Sequence, residues 1–421
     1  MLESIQKVFK NNDLRNKIFF VLAMLVIFRI AAKITIPGVD QENLKSLMGG
    51  NQFLGFLNLF SGGALDNLSI VMLGVAPYIT GSIIMQLLTM IFPRLKEWYH
   101  EAGEQGRQKF NQISRIMTVP LAILQGFGLI KLLQSQGVIG HLDYFSLSTN
   151  LIVITAGSVF LMWIGELISE KNIGNGISLL IFAGIIANFP IGIQQTLVSY
   201  DSSKILSYAG FIIVTILVVV GVVLVNEAQR NIPVQYAKRV RGNKMYGGAS
   251  TYLPLRINQA GVMPIIFAIS ILMFPQMIAS FLSATKITWL INAAATVTSL
   301  TQNQWIYGGS YFVLVVLFTF FYTAIVFEPK TISENLQKNG GFIPGIRPGQ
   351  STTDFMNFLM LRITLSGAIF LGIIAVLPLA VKDVSGISTF AVGGTSLLIA
   401  VSVVIEIIKQ IQAQMVMVEY E

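Results

Sequence analysis

From Ile205 to Asn226 the chain runs without one charged side chain, which is enough for a helix to cross a bilayer's hydrocarbon core, a distance of about 20 residues. In lipid every backbone amide must find its partner within the chain, so such a run has few options but a helix. Further apolar runs lie near 18–36, 68–92, 114–133, 150–168, 176–197, 258–282, 309–328, 358–380 and 389–409, and with 205–226 the pattern predicts ten spans. The first carries Arg29 and Lys33 and nine more follow, which marks a retained helix rather than a secretory signal. At 54% hydrophobic and 11% charged residues, with mean hydropathy +0.70, the composition excludes an ordinary soluble domain.

Orientation follows from charge. With both termini in the cytosol, twenty-one of the 28 basic residues fall on the inner face and six outside, with Arg29 inside a span. That asymmetry accounts for the net charge of +8 without a nucleic-acid partner. The expected fold class is therefore an all-α polytopic membrane protein. Ten spans divide into five and five, residues 1–197 and 198–421. Because five is odd, the second half starts from the opposite side, an inverted pseudo-symmetry that suits transporters as well as channels. The sequence shows no convincing internal repeat.

Several chemistries lack their residues. There is no cysteine for a disulfide or thiolate site. His100 and His141 are the only histidines, and the His100-Glu101 pair has no second histidine at zinc-protease spacing, so both read as loop residues. No Gly-Lys dipeptide, G-x-G-x-x-G or G-x-S-x-G occurs, which leaves neither a phosphate loop nor a nucleophile elbow. No catalytic residue, metal site or cofactor is expected, and directional transport would draw its energy from a partner or an ion gradient.

Other features exceed plain membrane core. The segment 53–67 is apolar, broken by Gly55, Gly62 and Gly63, and too short to cross alone. Irregular backbone at membrane depth needs protein or a water-filled cavity around it, so the segment is either a re-entrant anchor or a movable stopper. Pro77, Pro264, Pro275 and Pro378 interrupt spans 2, 7 and 9 and predict kinks. Arg29, two thirds along span 1, is placed to snorkel to the outer interface. No span carries a mid-membrane acidic cluster of the kind a coupled pump uses. On the inner side, loop 228–257 alternates in the manner of a hairpin around Gly242-Asn243 with a basic tip, Lys238, Arg239 and Arg241. Such a patch suits anionic lipid, or an RNA or acid-rich partner. Loop 329–357 presents Arg347 between glycines and prolines.

Taken in order, Leu59-Phe-Ser-Gly-Gly-Ala-Leu65, Pro77-Tyr-Ile-Thr80, Gln86-Leu-Leu88, Gly174-Asn-Gly176, Ile232-Pro-Val-Gln-Tyr-Ala-Lys-Arg239, Gly345-Ile-Arg-Pro-Gly349 and Gly393-Gly-Thr-Ser-Leu-Leu398 resemble the bacterial SecY family, the channel subunits of protein translocases. The resemblance covers essentially the whole chain. It implies two five-helix halves around an hourglass pore that passes unfolded secretory chains across the membrane and releases apolar segments sideways into lipid. It further implies a pore ring of Val75, Ile79, Ile177, Ile181, Ile266 and Ile399, with valine at 75 where isoleucine is usual. The plug would be Phe60, Ser61, Gly62, Gly63, Ala64 and Leu65, and the lateral gate Thr80, Gln125 and Asn258. Lys238, Arg239, Arg241 and Arg347 would dock the SecA motor or the ribosome. SecE and SecG are the implied small subunits, signal peptides and preproteins the clients, and the bacterial cytoplasmic membrane the location. The tail after span 10, Met415 to Glu421, is short for a docking role. An aliphatic ring excludes water and ions by dewetting yet deforms around a passing chain. The rival readings are a secondary transporter of a small solute, which needs a polar midplane site, and a structural membrane scaffold.

Overall fold

In a computed structural model the chain is described over residues 11–36, 54–55, 57–58, 61–100, 103–140, 142–198, 205–236, 239–241, 244–246, 250–283, 287–385 and 389–419. In chain order the helices are α1 (Asn12–Ala31), α2 (Ala76–Ile91), α3 (Pro93–His100), α4 (Gly103–Ser135), α5 (Tyr144–Ser169), α6 (Gly176–Val198) and α7 (Ile205–Glu227). There follow strands β1 (Gln229–Tyr236), β2 (Arg239–Arg241), β3 (Lys244–Tyr246) and β4 (Ser250–Arg256), then α8 (Met263–Ser283), α9 (Thr288–Gln302), α10 (Gln304–Val326) and α11 (Pro329–Lys338). The short β5 (Gly341–Phe342) precedes α12 (Gln350–Ser385) and α13 (Thr389–Glu419).

Every apolar run identified in the sequence lies on a helix. Six described helices are long and apolar enough to cross a membrane, or seven if α2 and α3, bent by 117° at their junction, count as one. The chain is thus a helical polytopic membrane protein. Boundaries differ from expectation where backbone chemistry outweighs hydropathy. Span 2 begins at Ala76, not 68, because the chain between them turns: a 3-10 turn over Leu65–Asn67 is followed by Leu68 at φ 41° and Gly74 at φ 59°. This stretch hydrogen-bonds to the end of span 1, Ile36 N–H to the Leu68 carbonyl at 2.9 Å and Ile70 N–H to the Ile34 carbonyl at 2.9 Å.

Two of the four expected kinks are absent. Pro77 occupies the first turn of α2 and Pro264 that of α8, where no intrahelical N–H is needed. The interior prolines are Pro275 and Pro378, as expected, together with Pro120 and Pro190. His100 closes α3 rather than lying in a loop, and His141 is outside the described residues.

By their contacts the residues form two compact units: Met1–Phe211 with Ile269–Tyr307 and Pro378–Glu421, and Ile212–Ala268 with Gly308–Leu377. In the first, glycines set the helix spacing. A Cβ on Gly176 would collide with the backbone of Gly165, and one on Gly157 with the carbonyl of Ile70, so α6 and the 69–71 turn press directly on α5. Small residues serve membrane helices in this way, letting backbones approach where apolar transfer gives no driving force. Asn175 starts α6 by accepting from the N–H groups of Ile177 and Ser178 at 3.0 and 3.2 Å, as an N-cap does.

In the second unit β1 is central in an antiparallel sheet of order β4-β1-β5. Its register pairs Gln229 with Arg256 through Gln235 with Ser250, then Gln235 with Phe342. Alternation turns Ile232 and Val234 inward onto Leu255, Ile343, Met356 and Met360. Pro233 costs the sheet little, because β5 pairs only with the last two residues of β1 and the β5 edge at Pro233 carries no ladder bond. Beyond this sheet, β2 pairs with β3, Arg241 opposite Lys244; Gly242 and Asn243, the expected turn, lie outside the described residues.

Candidate functional site

In the segment that the sequence leaves open between anchor and stopper, most described residues are buried. Leu57, Ser61, Ala64 and Leu65 are all buried, and the polar groups are satisfied locally. Ser61 Oγ donates to the Asn58 carbonyl at 3.0 Å and accepts from Leu65 N–H at 3.1 Å. Asn58 clasps Asp66, its amide donating to the carboxylate at 2.9 Å and its Oδ1 accepting from Asp66 N–H at 3.3 Å. Between these contacts the chain reverses at Gly62 and Gly63, with φ of 64° and 81°, a conformation that glycine alone adopts without strain. Phe60 lies outside the described residues.

This turn is seated by α1 and α6. A Cβ on Gly62 would meet Phe28 Cζ at 2.5 Å, and one on Gly184 of α6 would run into the Gly62 backbone. A Cβ on Gly63 would strike the Asn188 side-chain amide. Arg29, which the sequence places to snorkel, has a partner in the chain: its Nη1 donates to the Gly62 carbonyl at 2.7 Å. Gly184 and Asn188 carry no sequence signal that separates them from ordinary span residues, and Arg29 stands out in the sequence only as a charge.

Of the aliphatic residues, Val75, Ile79, Ile181, Ile266 and Ile399 are buried and Ile177 is half-buried. Val75 caps α2 and Ile79 lies one turn into it. Helices α6 and α13 pack together, and two contacts set their register. Gln414 Nε2 donates to the Asn172 carbonyl at 2.6 Å, and a Cβ on Gly174 would lie 3.6 Å from Ile407 Cγ1. The helices are therefore antiparallel. Ile399 lies about two turns before Ile407 on α13, and Ile181 is in the second turn of α6. Gly184, which meets the turn, stands about one helical turn beyond. Ile177 is placed differently: a Cβ on Gly165 would lie 2.7 Å from its Cδ1, so it leans on α5. Ile266 belongs to the second unit.

The three polar residues of the expected gate are divided as well. Gln125 of α4 donates from Nε2 to Thr80 Oγ1 of α2 at 3.3 Å, and both are buried. Asn258, in the second unit, instead donates to Asn226 Oδ1 at 2.7 Å and to the Gly261 carbonyl at 3.1 Å. It precedes α8 rather than lying inside it. A groove of about 720 Å³ along α4 and α5, lined by Val119, Ile123 and Trp163 among others, is apolar and touches none of these residues.

The loops 228–257 and 329–357 share one sheet through β1 and β5. Arg347 is exposed on a turn held by Gly345 and Gly349 at φ 82° and 99°. The turn is secured by Thr352 Oγ1 donating to the Arg347 carbonyl at 3.0 Å and by Ser333 Oγ donating to the Gly349 carbonyl at 2.8 Å. Arg239 and Arg241 are on β2, and Lys238 lies outside the described residues.

A family model described as SecY matches residues 69–408. The chain belongs to the SecY family. Relatives described as protein translocase subunit SecY are 41% identical in Corynebacterium glutamicum, 42% in Streptomyces galbus and 41% in Mycobacterium tuberculosis, each over 100% of this chain and 99% of the relative. The fold matches a solved structure described as a protein-conducting channel, with TM-score 0.64 and 18% identity over 94% of this chain and 92% of the other. A structure from work on the SecY plug domain, which stabilises that channel's closed state and its membrane seal, matches with TM-score 0.66 at the same identity and coverage. Sec61 in a canine ribosome-channel complex from the endoplasmic reticulum matches with TM-score 0.62, 18% identity and the same coverage. The chain is thus a protein translocase subunit with the fold of a protein-conducting channel.

Proposed function

We propose that the chain is the central channel subunit of a Sec translocase in a bacterial cytoplasmic membrane. Ten spans form two inverted halves, 1–197 and 198–421, around an hourglass pore, with both termini in the cytosol. It passes unfolded preproteins outward and releases their apolar segments into lipid. The single observation that carries the reading is the glycine turn at Gly62-Gly63 seated on Gly184, about one turn of α6 beyond Ile181. A plug just outside an aliphatic constriction closes a pore without any selective chemistry, because a narrow ring of Val and Ile side chains dewets.

In this reading Val75, Ile79, Ile181, Ile266 and Ile399 make the ring. Ile177, turned onto Gly165, contributes less than the sequence resemblance implies. Gln125 and Thr80 fasten one side of a lateral gate and Asn258 belongs to the other. Such an interhelical hydrogen bond is worth about 0.6 kcal/mol in a membrane, weak enough for an apolar signal peptide to replace it with helix and lipid contact. The exposed Arg347 turn and the basic β2–β3 hairpin, Lys238, Arg239 and Arg241, dock the SecA ATPase or the ribosome, which supplies the drive; SecE and SecG complete the complex. The chain itself performs no catalytic step.

Because the chain contains no cysteine, one introduced at position 79 or 181 reports directly. It is expected to crosslink to a secretory chain stalled in transit. A carrier of small solutes would give no such adduct, and its absence with export intact would overturn the channel reading.

A further inference from the structure

We propose that Arg29 is the latch of the plug: its guanidinium holds the Gly62-Gly63 turn on α1 and α6, and breaking this bond is a step in channel opening. The inference rests on the plug reading given above. A guanidinium on a membrane-spanning helix is costly without a partner, and here it donates to a main-chain carbonyl of the segment that must move, Gly62, at 2.7 Å. The hydrogen bond is charge-assisted, which makes it stronger than a neutral one, and the Asp66 carboxylate acts on the same guanidinium. Asp66 is in turn held by the Asn58 amide, so the cation, the turn and the short polar network beneath it form one unit.

The seat itself recognises backbone rather than side chains. Gly62 and Gly63 present bare main chain to Phe28, Gly184 and Asn188, and Arg29 supplies a charge-assisted bond to the turn. Arginine suits the task because it stays protonated in any surroundings and donates from a planar fork. Lifting the turn leaves Arg29 on α1 without that carbonyl. The resulting penalty favours return of the plug once a substrate has passed, so one residue both holds the closed state and restores it.

The test uses the complete translocase reconstituted in vesicles, with a single cysteine placed by Ala64→Cys in the cysteine-free chain. Two quantities are read: resting ion leak, and the rate at which an impermeant thiol reagent, added from the outer side, labels position 64. Arg29→Gln is expected to raise both by about tenfold, the effect of losing a hydrogen bond to a charged group. Arg29→Lys, which keeps the charge but not the fork, is expected to fall between Gln and the parent. That ordering separates a held carbonyl from general loosening of α1. Deletion of 57–67 serves as the reference. If deletion raises leak while Arg29→Gln changes neither readout, the latch is overturned and the plug stands; if deletion itself leaves leak unchanged, the plug reading fails and the latch with it. Should Arg29→Gln not assemble, Arg29→Lys decides alone: a severalfold rise supports the latch and no change overturns it.

Discussion

The Gly62-Gly63 turn and the Arg347 turn are built from the same residue types and serve opposite ends. Both place glycines at positive φ and both involve an arginine. In the first, side chains are removed so that backbone meets backbone on α6, and the arginine reaches in to a buried carbonyl. In the second, a Cβ on Gly345 would meet open space, and the arginine stands in solvent with only its carbonyl tied down. Glycine at 62 therefore answers to close approach as well as conformation, and glycine at 345 to conformation alone. A seal has to exclude water, so polar groups within it need partners inside the protein. A docking surface has to offer an unspent charge.

That contrast is open to attack from both sides. The largest effect is expected from Gly184→Val, whose side chain would occupy the space of the Gly62 backbone; resting ion leak should rise about a hundredfold, as when a well-packed site is overfilled by 2–3 kcal/mol. Gly345→Ala, by comparison, should leave leak unchanged and weaken motor-dependent export only slightly, since it strains one positive-φ residue by about 1 kcal/mol. Equal leak from the two variants would break the distinction between a seat and a turn.

Next in size, Ile181→Asn and Ile399→Asn should each raise ion leak by about tenfold, because a polar side chain wets an aliphatic constriction. Both should also admit substrates with defective signal sequences. Ile177→Asn is expected to do less, since that residue leans on Gly165, and a full effect there would place it in the ring. Arg347→Glu should lower motor-driven export severalfold through charge reversal at an exposed site while leaving leak and insertion unaltered. Normal export would remove Arg347 from the docking surface. The smallest expected change comes from Gln125→Leu: losing its bond to Thr80 should ease lateral release about threefold, in keeping with a membrane hydrogen bond worth about 0.6 kcal/mol. Release assayed by transfer of a stalled apolar segment into lipid checks this, and slower release would argue that Gln125 aids opening.

Much of the fold is legible in the sequence because bilayer thickness and backbone satisfaction act locally. Ile205–Asn226 reads as a span without reference to any other residue, and it is α7. The hairpin around positions 242–243 is legible for the same reason, through period-two alternation and a turn dipeptide. Where hydropathy misleads, the backbone is the cause. Residues 68–75 are as apolar as a helix, yet Leu68 and Gly74 take positive φ and the chain turns. Pro77 looks like a kink until its position in the first turn of α2 is known.

The candidate site was half legible. Buried aliphatics at 75, 79, 181, 266 and 399 follow from motif order, but the lean of Ile177 onto Gly165 depends on how closely α5 and α6 approach. Thr80 and Gln125 meet as the resemblance implies; Asn258 instead donates to Asn226, a partner thirty-two positions away in the chain.

The sequence alone determined the solvent, the helical class and, through ordered motifs, the family. Each of these is a sum over neighbouring residues, and lipid reads such sums directly. Tertiary structure alone decided what Arg29 does. Its charge is plain in the sequence, but whether it snorkels or holds a carbonyl depends on a glycine turn thirty-three residues away, brought within reach because Gly184 carries no side chain to keep it out.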